Sequence, residues 1–187
     1  PTRRSSDLCY AYVAPLDQTT TFHEGDVISS LAGGEITVYS EAKNSDSSSK
    51  NGINYTNAGL ALTKGADDRI KVTLNHLMQV GTVITINMTS GTGSSNPRGL
   101  YLKNELNANV KDLENQNVLF GWATTPAKSE TQTYTYTVRA GDGLAGKNIF
   151  ILQRQNTVYI RSISVSNCGA ELIYYDLTSA VDPTGKG

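Results

Sequence analysis

Wherever the alternation of apolar and polar positions along this chain is regular, its period is two, and that period predicts strands. It is clearest between residues 131 and 166. Over residues 131–138, Tyr134 and Tyr136 share a parity with Val138 while Thr133, Thr135 and Thr137 take the other, as in a half-buried strand. Residues 149–152 are apolar on both parities and suit a strand covered on both faces. After a turn at 154–156, Val158 and Ile160 lie on one parity and Ile163 and Val165 on the other. That slip predicts a β-bulge near Arg161 and Ser162 or apolar cover on both faces. With tight turns between them, the three segments read as a β-meander.

Other segments follow the same rule. Over residues 35–40, Ile36 and Val38 face one way and Thr37 and Tyr39 the other. Residues 59–63 and 69–74 read as a hairpin with a five-residue loop, with Ile70, Val72 and Leu74 inward. Residues 81–89 form a long strand whose core face is Ile84, Ile86 and Met88. Residues 9–14 read as a short strand or the tail of a linker, residues 19–22 and 26–30 as a weak strand pair, and shorter strands are expected at 99–103, 118–124 and 171–176. Residues 44–52 and 90–97 are polar loops, and residues 112–116 allow one helical turn. About nine or ten short strands with turn signals between them predict an all-β fold, a two-sheet antiparallel β-sandwich that is jelly-roll-like. No fixed-period repeat runs through the chain, which argues against a solenoid or propeller. The expected core is Ile36, Val38, Leu60, Leu62, Ile70, Val72, Ile84, Ile86, Tyr134, Tyr136, Ile149, Ile151, Val158 and Ile163.

Composition narrows the class. With 187 residues, 38% hydrophobic and 18% charged, the chain has room for one sandwich-sized domain. A net charge of −1 with scattered Lys and Arg lacks the basic footprint of a nucleic-acid binder, and that class is rejected. No apolar run approaches the length of about 18 residues that a membrane span needs. Residues 1–8 resemble the in-frame translation of a short-read sequencing adapter; the alternative is an ordinary basic tail. The adapter reading implies non-native sequence, an assembled environmental source and a missing N-terminus. The expected organisation is non-native sequence at 1–8, a linker or short strand at 9–21, the jelly-roll sandwich at 22–168, and an extra strand with a linker to a missing domain at 169–187. Cys9 and Cys168, the two cysteines, either bridge the ends of the domain or stay as free thiols.

Catalytic groupings are sparse, and no catalytic residue is assigned. His23 and His76 are the two histidines, and no spacing joins either to a serine and an acid or makes a metal pair. Asp67, Asp68 and Asp46 lie in loops of the kind calcium prefers, but the spacing of a calcium loop is absent and a turn role is the better reading. No cofactor and no metal are therefore expected. Strands nearly free of Asp and Glu argue against a paired-carboxylate hydrolase. What remains is aromatic stacking on sugar rings. Trp122, with Tyr101, Tyr55 and Tyr39, are the candidate ligand-binding residues. Trp122 shares a parity with Phe120, and whether that parity faces the core or solvent is open, with the core favoured.

Strand segments at Gly34-Glu-Ile-Thr-Val-Tyr39, Gly59-Leu-Ala-Leu62, Arg69-Ile-Lys-Val-Thr73, Gly81-Thr-Val-Ile-Thr-Ile86, Thr133-Tyr-Thr-Tyr-Thr-Val138 and Asn156-Thr-Val-Tyr-Ile-Arg-Ser-Ile-Ser-Val165 carry a resemblance. They resemble jelly-roll modules of secreted and surface polysaccharide-degrading proteins of Bacteroidetes, including modules beside pectate lyases. The resemblance spans residues 20–167 and rests on strand patterns. It implies a non-catalytic carbohydrate-binding or accessory module, extracellular or at the cell surface, tethered to further domains, with a polysaccharide or cell-surface glycan as partner. It identifies no binding residue. A structural spacer or adhesin-type sandwich without glycan binding is the second expectation, and an enzyme is the third.

Overall fold

Each period-two segment has one face that water disfavours, and in the computed structural model, which describes residues 7–91, 98–122 and 130–173, these faces meet between two sheets. The strands are β1 (Leu8–Val13), β2 (Thr21–Phe22), β3 (Val27–Leu31), β4 (Gly34–Ser40), β5 (Ile53–Thr56), β6 (Gly59–Leu62), β7 (Arg69–Leu74), β8 (Val83–Ser90), β9 (Arg98–Lys103), β10 (Leu119–Trp122), β11 (Thr131–Thr137), β12 (Ile149–Arg154) and β13 (Val158–Ser166). One sheet has seven strands in the order β11-β8-β13-β6-β5-β2, with β1 also paired to β13. The other has six, β10-β9-β12-β7-β4-β3, and every pairing is antiparallel. The sheets stay open at their edges, which makes a sandwich rather than a barrel, and no helix occurs among the described residues.

Strand parities match the sequence reading except in β12, where Phe150 and Leu152 face the core and the expected core residues Ile149 and Ile151 face outward, and three connections also differ. Residues 131–166 are not a meander: β11 and β13 both pair with β8 in the seven-stranded sheet, whereas β12 pairs with β7 and β9 in the other. Likewise β6 and β7 are not a hairpin, because β6 lies between β5 and β13 and β7 between β4 and β12. The three connections β6–β7, β12–β13 and β11–β12 all cross from sheet to sheet. Asp68 holds the first crossing: its fully buried carboxylate accepts from the backbone N–H of Ala42 at 2.9 Å and of Lys64 at 2.8 Å. Arg154 holds the second, with Nε donating to the Leu62 carbonyl and Nη2 to the Thr63 carbonyl, each at 3.2 Å.

The expected bulge lies where the phase slips, between Ile160 and Ser162 against β8. At the same point β13 changes its other neighbour from β6 to β1, so the slip lets one strand serve two partners. Of the expected core, Tyr134 and Ile149 are only half-buried and the rest are buried. Residues 8–13 belong to the sheet, with Tyr10 and Tyr12 in the core, so the sandwich begins before its expected start at Phe22. Residues 171–173 of the expected last strand add an isolated bridge from Glu171 to His76; residues 174–176 lie outside the described residues.

A tandem repeat too short to register as an architecture extends the edge beyond β9. Lys103–Val110 and Lys111–Val118 are two eight-residue turns, each opened by a bridge from its Lys to an Asn six residues on. In each, an Asn or Asp at the second position folds back: Asn104 Oδ1 accepts from the N–H of Leu106 and Ala108, and Asp112 Oδ1 from Glu114 and Gln116. Asn107 and Asn115 occupy the left-handed region at φ 60°, which Asn tolerates. The segment expected to allow a helical turn at 112–116 is therefore the second of these side-chain-built turns. Leu102, Val110 and Val118 close the pair with a ring of backbone bonds, each N–H donating to a carbonyl of the next.

Cys9 and Cys168 form a disulfide, with Cα atoms 6.2 Å apart and 159 residues between them in sequence. It ties β1 to the end of β13. In the chain-entropy account, closing a loop of that length restricts the unfolded chain by about 5 kcal/mol, an upper figure for its effect on stability. Replacing both cysteines by serine is expected to lower unfolding free energy by roughly 2–5 kcal/mol in urea titration; a change below about 0.5 kcal/mol would contradict this role. A second expectation concerns alkali. Burial raises the Tyr136 phenol from 10.0 to about 12, helped by the nearby Asp142 carboxylate, and burial raises Tyr10 and Tyr12 as well. Because these folded pKa values exceed the unfolded one, the stability they confer is whole below about pH 10 and is lost as pH rises through the folded values. The melting temperature should fall from about pH 10 upward, with phenolate absorbance rising together with unfolding; an independent earlier titration of all ten tyrosines would refute it.

Candidate functional site

Of the four aromatic side chains expected to offer a stacking platform, two close the sandwich and two face solvent. Trp122 lies on the inward parity of β10 with Phe120 and is 7% exposed. Its ring meets Tyr134 edge-to-face, centroids 5.5 Å apart, and its Nε1–H donates to Glu130 Oε1 at 3.1 Å. As β10 and β11 are edge strands of opposite sheets, this contact shuts one side of the sandwich. Tyr55 is 5% exposed; its hydroxyl donates to the Ile28 carbonyl at 3.1 Å, and its ring stands edge-on to Phe22 at 5.0 Å. It joins β5 to β3 and shuts the other side. Neither ring presents a face to a ligand, which corrects the expectation for Trp122 and Tyr55 as stacking residues. The reason is common to both: a large amphipathic ring with its polar atom satisfied inside is worth more to the edge than to the surface.

Tyr101 and Tyr39 behave differently. Both lie on the outward parity of the six-stranded sheet, Tyr101 half-buried and Tyr39 37% exposed. Register places their neighbours: Leu119 and Gln153 flank Tyr101, and Gln153 pairs with Arg69, which pairs with Ser40 beside Tyr39. Three strand spacings separate the tyrosines, about 14 Å. In the next row Thr37, Lys71, Ile151 and Lys103 stand side by side, and in the one after it Glu35, Thr73 and Ile149. Ile151 is on this outer face yet fully buried. Its cross-strand neighbours are Lys71 and Lys103, whose aliphatic stems are the cover the register provides. Lys103 Nζ donates to the Asn107 carbonyl at 3.0 Å, and burial followed by the nearby Arg69 lowers the Lys103 pKa.

The opposite outer face has another chemistry. Thr131, Thr133, Thr135 and Thr137 of β11 stand beside Thr89, Asn87, Thr85 and Val83 of β8, with Ser162, Ser164 and Ser166 of β13 next in line. Bonds between Asn87 and Thr133 and between Thr89 and Thr131 tie part of that ladder to itself. Tyr159, half-buried beside Thr89, is the one aromatic ring on this face among the described strands.

Two further places hold polar groups. A depression of about 400 Å³ lies between the tandem turns and residues 139–143, lined by Asn104, Asn109, Lys111, Asp112, Arg139 and Asp142. Its charges bond inward: Arg139 Nη2 donates to the Lys111 carbonyl, Lys111 Nζ to Asn117 Oδ1, and Asp142 accepts from Tyr136 Oη and the Arg139 N–H. The grouping braces loops. At the end of β4, Glu41 accepts from Ser49 Oγ and the Glu24 N–H and meets His23 Nδ1 at 3.3 Å. Burial alone would raise the Glu41 pKa, and these bonds outweigh it and hold it low. Ser49 gives its proton to the carboxylate rather than to His23, so the trio lacks the order of a nucleophile and its base. Among the described residues no cluster of three or more His, Cys, Asp or Glu side chains suits a metal. Asp67 makes a loose pair with Arg69 at 3.7 Å, and Asp46 caps its own turn at Ser48.

No protein-family model matches the chain, and no curated protein matches it in sequence. Among solved structures the chain aligns with apo BiXyn10A CBM1 over 87% of its own length and 99% of that chain, at 8% identity and a TM-score of 0.38. It aligns with xylanase 10C from Cellvibrio japonicus in complex with xylopentaose over 80% of its length and 29% of that chain, at 11% identity and a TM-score of 0.38. The enzymatically active domain of tailspike protein 4 of bacteriophage CBA120 aligns over 86% of this chain and 20% of that one, at 13% identity and a TM-score of 0.26. At these scores the functional argument rests on the geometry of the chain itself.

The edge-closing role of Trp122 predicts the cost of its removal. Trp122→Ala should destabilise by roughly 3–5 kcal/mol, read from chemical denaturation. Tyr39→Ala, on the open face, should change stability by less than about 0.5 kcal/mol. Equal effects of the two substitutions would overturn the division between edge and surface aromatics.

Proposed function

We propose that this domain is a non-catalytic carbohydrate-binding module, and that a glycan chain lies across the strands of the six-stranded sheet between Tyr101 and Tyr39. The observation that carries this is their common face: the half-buried ring of Tyr101 and the exposed ring of Tyr39, three strands and about 14 Å apart, with Gln153 and Arg69 between them. Tyrosine rings stack on the apolar faces of sugars, while the amide and guanidinium groups satisfy hydroxyls. The strands of this face carry Glu35 as their single carboxylate, which leaves no acid pair for glycoside hydrolysis there. The Cys9–Cys168 bridge fits an oxidising compartment, and the proposal includes an extracellular or cell-surface setting with tethering to further domains, as the resemblance to Bacteroidetes polysaccharide-degrading proteins implies.

Stacking on an open face supplies few contacts, so affinity should be weak, with Kd from about tens of μM to mM, or roughly −4 to −6 kcal/mol. Affinity electrophoresis on gels containing xylan, β-glucan or pectin should retard the chain on at least one polymer. Tyr101→Ala is expected to weaken retention about tenfold, near 1.4 kcal/mol, with the fold intact. Absence of retardation on every polymer would sink this reading in favour of a structural spacer.

A further inference from the structure

The outer face of the six-stranded sheet is cationic although the whole chain has a net charge of −1. Its strands carry Arg69 and Lys71, both half-buried, and Lys103, which is buried with its ammonium on the Asn107 carbonyl, against the single carboxylate of Glu35. Arg69 and Lys71 are two residues apart on β7, about 7 Å, and Lys103 stands two strands from Lys71, about 10 Å. Around this group the counter-charges are few. Asp67 meets Arg69 only at 3.7 Å from a largely exposed loop position, and Arg69 Nε is buried with no hydrogen-bond partner. Among the described residues no ion pair or hydrogen bond engages the Lys71 side chain. Burial first, and then the like charge of Arg69, lowers the Lys103 pKa.

Resting on the glycan-binding reading above, we infer that the polymer bound across this face is polyanionic, a polysaccharide whose carboxylate or sulfate groups meet Arg69 and Lys71 while Tyr101 and Tyr39 stack on its rings. An anionic chain supplies the counter-charge that the face lacks. The guanidinium presents a planar fork suited to either anion, and the Lys71 ammonium adds a point charge. Register sets the Lys71 stem beside the buried Ile151, and a stem laid over it loses less side-chain freedom on binding. The tyrosine pair alone would accept neutral and acidic chains alike; the cations make the choice.

The test compares four polymers in affinity gels: polygalacturonate, its fully methyl-esterified form, dextran sulfate and neutral xylan. Retardation on polygalacturonate or dextran sulfate is expected to exceed that on the esterified and neutral gels about tenfold and to decline with added salt, and the gel that retards more identifies carboxylate or sulfate as the anion. Lys71→Gln should abolish most of this preference, whereas Lys50→Gln, the same charge change on the exposed loop after β4, should leave it intact. Equal retention on xylan and the acidic gels, sensitive to Tyr101→Ala but not to Lys71→Gln, would overturn the inference and leave the glycan-binding reading standing. Equal losses from Lys71→Gln and Lys50→Gln would also overturn it, because retention would then follow net charge alone. No retardation on any gel would reject both.

Discussion

Two stacked sheets bury the surfaces that face each other, but the slot between them opens to water along both edges, and backbone left there would lose its partners. In this protein both edges are shut by aromatic rings: Trp122 of β10 meets Tyr134 of β11 across the sheets on one side, and on the other Tyr55 of β5, edge-on to Phe22 of its own sheet, reaches β3 through its hydroxyl. Each plug keeps its polar atom satisfied, the indole N–H on Glu130 and the phenol on the Ile28 carbonyl. With both edges shut, the inner rows of Leu100, Leu102, Phe150, Leu152, Ile70 and Val72 stay dry, and the six-stranded sheet gains a firm base. The outer face inherits that firmness, since its side chains alternate with the buried ones on the same strands.

Strand membership was legible because burial on one side writes a period of two into the sequence. Ile36 with Val38, and Ile84 with Ile86 and Met88, point where that period predicts. The phase slip at residues 160–162 marks a real bulge for the same reason. Sheet membership was not legible. A short polar turn such as 63–68 has the composition of a hairpin loop whether the chain returns beside its own strand or crosses to the facing sheet. The groups that fix the crossing, Asp68 on the N–H of Ala42 and Arg154 on the carbonyls of Leu62 and Thr63, act between residues 26 and 92 positions apart. No local pattern records such contacts.

The tandem turns at 103–118 show a different blind spot. Their shared Lys-Asx opening, their Asn at the fifth position and their closing Val are visible once the pieces are laid side by side. Repeat architectures announce themselves at periods of about 20–50 residues, where each unit is a supersecondary element. Two copies of eight residues make only a pair of turns, and their significance lies in the ring of backbone bonds through Leu102, Val110 and Val118 that no sequence period displays.

The face proposed to bind glycan was half legible. Parity alone puts Tyr39 opposite Ile36 and Val38, Tyr101 beside Lys103, and Arg69 beside Lys71, because residues two apart on a strand share a face. What the sequence withholds is the strand order β9-β12-β7-β4, which sets those separate pairs into adjoining rows. The central member, β12, explains why the rows hold together. Its run Ile149-Phe150-Ile151-Leu152 sends Phe150 and Leu152 into the core and leaves Ile151 outward between two lysines. The long stems of Lys71 and Lys103 flank it in the register and offer cover, and the Lys103 ammonium turns to the Asn107 carbonyl. The doubly apolar strand, read from sequence as a strand covered on both faces, is therefore covered by the core on one side and by lysine stems on the other. Burial of Ile151 and concentration of positive charge are then two consequences of one packing arrangement.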